Sequence, residues 1–369
     1  MRKIILFMVI CSTLSSGINS AWASPKKSLK KVNEAVKDQT GIEGSINKEL
    51  SRDEIRENTE LLLQEPLTAD SAVRVAVLNN ASLKASIIGL GVSQADLIQG
   101  GLLHNPKFSA SIRRSNEEDT KTNTDFEVKQ DITDIIFWPL RKRLANSQFK
   151  QAEYDLTKRI VDFIKEVKIG FYHWQSSMHM LGMRQDYFKA EEAALELAQR
   201  QRDAGNISAL ALEEQKAIYY QAEIDLQRSQ LETEISDQQL RSLLGLTDSE
   251  LQWTSQKKLP DLSMDVLSLE RLEEGALKNR IDLEVVRQEG VILKQSLTAA
   301  RLGIIPSVEG GFNWEREANG EKVSGPVIEA EVPVFDHKQA DRLRVNSQIE
   351  MNKKMLEALE AQARLEVRS

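Results

Sequence analysis

The amino-acid sequence predicts a mainly α-helical chain with two β-hairpins, laid out as a duplicated helix–hairpin–long-helix plan. Three observations predict it. Similarity recurs at a constant offset of 200 residues. Apolar periodicity switches from helical to alternating after Pro106 and again after Pro306. Between Leu140 and Leu259 there is no proline, and apolar residues follow spacings of three and four, which builds long helices.

The chain opens with Met1-Arg2-Lys3 and the apolar run Ile4 to Ile10, a charged start and short hydrophobic stretch typical of a secretory signal and too short to span a bilayer. Ala21-Trp22-Ala23 supplies a small-x-small cleavage pattern, so residues 1–23 read as a signal peptide and the mature chain as starting near Ser24. Cys11, the sole cysteine, lies inside the signal, which leaves no disulfide and no thiol ligand. Ile10 stands where a lipoprotein signal needs a small residue. Losing Arg2 and Lys3 takes the formal charge from −7 to −9, which argues against a nucleic-acid partner. After residue 23 no apolar run reaches spanning length, so any membrane crossing must use β-strands, whose alternation escapes hydropathy scans. Residues 24–66 form a polar extension with a short helix expected around Asp53 to Leu63.

The repeat begins at Leu67. Leu67, Ala76, Asn79, Leu83, Leu97, Leu102 and Pro106 recur as Leu267, Ala276, Asn279, Leu283, Leu297, Leu302 and Pro306; Asn146-Ser147-Gln148 recurs as Asn346-Ser347-Gln348. Each copy should open with one helix capped by Thr68 or Ser268 and ended by its proline. Strands follow. Phe108, Ala110 and Ile112 alternate with Lys107, Ser109, Ser111 and Arg113; after a polar turn over Ser115 to Asn123, Phe126, Val128 and Ile132 alternate with charged residues. In the second copy Val308, Phe312 and Trp314 share a face, and beyond the Asn319-Gly320 turn so do Ile328, Ala330 and Val332. Alternation alone fits a soluble hairpin with one face on a core equally well. Strand length and the aromatics Phe137-Trp138 and Trp314 favour a barrel wall.

Next comes a helix expected over Pro139 to Asp203, with Leu156, Ile160, Phe163, Val167, Phe171, Trp174, Met178 and Leu181 as its apolar seam and Ala190, Ala193, Ala194 and Ala198 allowing close approach. Gly205 and Asn206 turn the chain, Ser208 caps a returning helix, and Gly245 ends it after Leu244.

These segments resemble the TolC-type outer-membrane efflux family. The resemblance lies in Ala76-x-x-Asn79-Asn80, Gly101-Leu102-Leu103-His104-Asn105-Pro106, Pro139-Leu140-Arg141-Lys142-Arg143, Ala204-Gly205-Asn206-Ile207-Ser208-Ala209-Leu210 and Leu243-Leu244-Gly245-Leu246. It covers roughly residues 67 to 369 and is nearest the heavy-metal-efflux branch. It implies domains over 67–248 (first repeat), 249–266 (linker) and 267–369 (second repeat). It further implies an α-barrel of long helical hairpins and a homotrimer whose four strands per chain close a twelve-stranded transmembrane β-barrel; four strands alone cannot close, and lipid tolerates no open edge. Phe108, Ala110, Ile112, Phe126, Val128, Phe312, Trp314, Ile328 and Ala330 would then face outer-membrane lipid. Gly205, Asn206, Ile207, Ser208 and Leu210 would form a tip meeting a periplasmic adaptor that joins the channel to an inner-membrane pump; Ala209 and Ala211 stand where many members carry an acidic residue. The implied role is a passive exit duct in an outer membrane, with a periplasmic helical extension and metal ions as the branch's cargo.

Enzyme chemistry is not expected. His104, His173, His179 and His337 have no paired ligand spacing, and there is no P-loop, nucleophile elbow or dinucleotide fingerprint, so no cofactor or resident metal is expected. On the constant offset Ser369 lies opposite Ile169, and a complete second copy is expected to need the counterpart of residues 170–248. Two other readings fit parts of the pattern: a truncated remnant that forms no channel, and an adaptor-like periplasmic helical protein. The duplicated strand hairpin counts against the adaptor.

Overall fold

In the computed structural model, residues 25–41, 51–114, 122–246, 253–254 and 268–368 are described. The signal peptide, Cys11, most of the 115–123 turn and most of the 249–266 linker lie outside them. The chain divides into two compact units interleaved in sequence: Met1–Ser28, Gly89–Leu156 and Leu267–Ser369 form one, Leu29–Ile88 and Thr157–Val266 the other.

The elements run α1 Pro25–Thr40, α2 Arg52–Gln64, α3 Ala69–Asn79, α4 Ala81–Gly101, β1 Lys107–Arg113, β2 Asn123–Asp131, α5 Ile132–Asp203, α6 Ala209–Leu244, α7 Leu269–Asn279, α8 Ile281–Leu302, β3 Ser307–Arg316, β4 Lys322–Glu331 and α9 Gln339–Arg368. Both copies therefore read helix, helix, strand, strand, long helix. Among the described residues no single helix is long and apolar enough to cross a membrane.

In the unit containing the long helical hairpin, α2 starts on a capping box between Ser51 and Glu54 and α3 on one between Thr68 and Ser71. The seam of α5 is Leu156, Ile160, Ile164, Val167, Phe171 and Trp174, all buried. Three expected members are not buried: Phe163 and Leu181 are half-buried and Met178 exposed, with Ile164 and Ser177 inside instead. The reason is close approach. Ser177 Oγ lies 2.7 Å from Ser236 Oγ on α6, and Thr233 donates to the Ser177 carbonyl, so small hydroxyl residues occupy the interface and satisfy one another. At the far end of α6, Gly245 takes φ +69°, and its Cα packs so tightly that a Cβ would come within 2.9 Å of the Asn79 and Asn80 backbone. Leu67 N–H donates to the Thr254 carbonyl at 2.7 Å, while Trp253 packs edge-on to Trp174 beneath Arg241.

The opening helix of each copy is two helices rather than one. Asn80 breaks the first: its side-chain oxygen accepts from Leu83 N–H, capping α4, and its amide donates to the Leu243 carbonyl, which bends α3 from α4 by 58°. Arg280 breaks the second at the matching position without a side-chain cap. Nor do the prolines end these helices. α4 stops at Gly101 and α8 at Leu302, and Pro106 and Pro306 instead stand directly before the strands. α5 in turn begins at Ile132, not Pro139, because the Asp131 carboxylate caps Asp134 N–H at 2.8 Å and the helix runs through the proline.

In the sheet-containing unit, α9 packs against α8 and α7. Asn352 donates to the Val286 carbonyl and takes the space left by Gly290, where a Cβ would meet its Oδ1 at 2.8 Å. Arg280 joins Asp282 to Glu366, and Arg368 pairs with Glu273; hydrogen bonds from these arginines lower the pKa of both glutamates.

Candidate functional site

The two hairpins form one antiparallel sheet in the order β1-β2-β3-β4. Its register sets Ala110 against Phe126, Phe126 against Trp314, Phe108 against Val128, and Val128 against Phe312. Directly opposed residues share a face. By that register, Phe108, Ala110, Ile112, Phe126, Val128, Phe312, Trp314, Ile328 and Ala330 all lie on one face of the sheet. Phe126 links its two aromatic neighbours, 6.3 Å from Phe108 and 5.7 Å from Trp314 between ring centroids. Ile328 is 77% exposed and Ile112 72%, values that water alone would penalise on a surface this continuous. Polar residues bound it at both ends: Gln130 donates to the His104 carbonyl at one, and Thr124, Arg316 and Ser324 share the face at the other.

The opposite face is ionic. Lys107 reaches Glu309 at 2.6 Å, and Lys129 bridges Glu127 at 3.0 Å and Glu329 at 2.9 Å. Asn123 donates to Glu315. Because Lys129 is on β2 and Glu329 on β4, the lysine must cross β3. It does so at Gly311, where a Cβ would stand 2.9 Å from Lys129 Cγ and 2.3 Å from the Val128 carbonyl oxygen. Its neighbour Gly310 opens the other face in the same way: a Cβ there would meet Ile132 Cδ1 at 2.6 Å. Sequence reasoning named neither glycine, although paired glycines inside a strand are a signal of close approach.

Where β2 runs into α5, Asp134 is buried and accepts from Arg141 at 2.8 Å, with His104 Nδ1 at 2.9 Å. Trp138 Nε1 donates to the Gly101 carbonyl at 2.6 Å. His104 is thus a structural partner of a carboxylate. Among the described residues no group of three or more His, Cys, Asp or Glu side chains is gathered as for a metal ion.

In the other unit, Gly205 at φ +77° and Asn206 turn α5 into α6. Asn206 N–H closes back on the Gln201 carbonyl, Arg202 donates to the Ile207 carbonyl, and Ser208 Oγ caps Ala211 N–H. Leu210 is 69% exposed beside this turn. The turn is thus tight and polar-capped, with the large apolar side chain of Leu210 left exposed.

Residues 72–246 match the family described as outer membrane efflux protein. That match spans 175 of the 369 residues, just under half of the chain. Members of that family are non-enzymatic transport channels. Solved structures share the fold. The outer membrane protein VceC of Vibrio cholerae aligns with TM-score 0.64 at 13% identity, over 80% of this chain and 75% of its own. CusC, whose structures concern folding and transmembrane channel formation, aligns at 0.60 and 14%, over 81% and 72%. The Campylobacter jejuni CmeC outer membrane channel aligns at 0.53 and 14%, over 84% and 67%. No curated protein sequence matches the chain.

Proposed function

We propose that the chain is one subunit of a homotrimeric outer-membrane duct, passive itself, through which solutes leave after an inner-membrane pump delivers them by way of a periplasmic adaptor. The observation that carries this reading is the sheet: nine apolar residues on one face, ion-paired residues on the other, and unpaired edges at β1 and β4. An exposed edge invites another strand, and three such sheets joined edge to edge reach the size of a natural barrel with no edge left open. The apolar face then meets lipid and the ionic face lines the lumen. The turn at Gly205, Asn206, Ile207, Ser208 and Leu210 is the adaptor contact, and residues 67–248 and 267–369 act as the two repeats of the subunit, joined by the 249–266 linker. Metal ions are the cargo suggested by branch resemblance.

The test is fractionation of cells making the full chain, followed by native mass spectrometry of detergent-extracted protein and conductance in planar bilayers. A trimer in the outer-membrane fraction with stepwise conductance supports the reading. A monomer recovered only from the periplasmic fraction overturns it.

A further inference from the structure

The turn joining strand to helix is built inside out. Ile132, Ile135 and Ile136 occupy one side of the first turn of α5, at spacings of three and four, and all are exposed, Ile136 by 66%. The polar residues of the same turn point inward. Thr133 accepts from Val308 N–H at 2.7 Å and donates to the Pro306 carbonyl, while Asp134 holds His104 and Arg141. A helix turn bathed in water would have the reverse arrangement. The second copy repeats the pattern without sharing the sequence: Val332, Val334 and Phe335 follow β4, all exposed, Phe335 by 90%.

Both groups continue the apolar sheet face. Ile132 rests over Gly310 on that face, and Val332 is the next member of the Ile328, Ala330 alternation. The seven residues of β1 rise about 23 Å and, tilted by about 40°, cover roughly 18 Å of an apolar band about 25 Å tall, whereas the ten of β3 and of β4 cover about 25 Å and the two groups extend the apolar face beyond the strands.

From this we infer that Ile132, Ile135, Ile136, Val332, Val334 and Phe335 form a lipid-embedded collar at the helix end of the barrel, seated in the periplasmic leaflet of the outer membrane. The inference rests on the membrane reading of the sheet. Lipid is the occupant because a neighbouring copy joins through strand edges, which leaves the sheet face and its continuation to the bilayer.

The test uses the full chain with Cys11→Ser, reconstituted in phosphatidylethanolamine–phosphatidylglycerol vesicles. A nitroxide is attached in turn at Ile136→Cys, Phe335→Cys, Ile328→Cys as the strand reference and Leu197→Cys as the aqueous reference, and collisions with oxygen and with a water-soluble nickel chelate are measured. The collar predicts high oxygen access and several-fold lower nickel access at Ile136 and Phe335 than at Leu197, as at Ile328. Nickel access equal to that at Leu197 places these residues in water and overturns the collar alone. Low access to both reagents means protein covers them, a second copy included, and also overturns it. If Ile328 itself is open to nickel, the membrane reading of the sheet fails and the collar fails with it.

Discussion

Gly311 lets a lysine on one strand reach a glutamate two strands away, and that single missing side chain orders the ionic face. Gly311→Val should destabilise the chain by about 1–3 kcal/mol, the usual cost of forcing atoms into filled space, because its branched side chain meets the Val128 carbonyl and Lys129. Gly325→Ala on β4, where a Cβ meets nothing within 4 Å, should be close to neutral. Thermal melts followed by circular dichroism on the two variants check the contrast. A second residue-scale expectation concerns pH. Arg280 lowers the Glu366 pKa, so the pair stabilises the fold above the unfolded carboxylate value of about 4.3 and ceases to do so as pH falls through the lower folded value. Glu366→Gln should therefore lower the melting temperature at pH 7, and the difference from the parent should vanish in acid. A constant difference across pH would mean that charge is not involved.

Among the elements, the strands were the most legible in sequence, and for a clear reason. Period-two alternation survives in a sheet exposed on both faces, and the register keeps all nine named apolar residues on one side. Helix joints were less legible. Asn80 looks like an ordinary helical position until its amide is seen to bridge α4 and the end of α6, and Arg280 at the equivalent place has no side-chain cap to betray it. The seam at Ser177 was missed because hydroxyl residues count as polar in any apolar pattern, although Ser177, Ser229, Thr233 and Ser236 are all buried. That interface tolerates little volume. Ser236→Leu should cost about 1–3 kcal/mol by overpacking, whereas Ser236→Ala should lose only about 1 kcal/mol of hydrogen bonding. Urea unfolding curves distinguish the two, and equal losses would mean that the helices are free to separate. α1 was not anticipated at all. Its buried Val32 and Val36 lie within a lysine-rich stretch whose charge hides a two-residue stripe.

For the whole molecule, the proposed barrel ties assembly to which side of a strand a charge occupies. Adjacent residues of β4 make the sharpest comparison: Ile328 lies on the apolar face and Val327, opposite Gly311, on the ionic one. Ile328→Arg should block recovery of trimer from outer membranes, since arginine facing the bilayer midplane costs about 2–4 kcal/mol. Val327→Arg should assemble. Gel migration of unheated samples reads both, and equal trimer yield from the two would count against lipid on the apolar face. The resemblance to the efflux family and the one-faced alternation of the strands were thus readable from residues alone. The collar was not, since its second half keeps the character of the first without its sequence.

The paired glycines of β3 have one more consequence. Alternation fixes which face a residue occupies but cannot distinguish registers that differ by two, because such a slip returns every apolar side chain to the apolar side. Gly310 and Gly311 remove that ambiguity. A two-residue slip of β3 past β2 would bring Val308 or Phe312 beneath Ile132 and Glu309 or Asn313 beneath the Lys129 stem, filling both slots at once. The pair works as a key cut on both sides, and it selects the one alignment in which the hairpins of the two repeats can zip together.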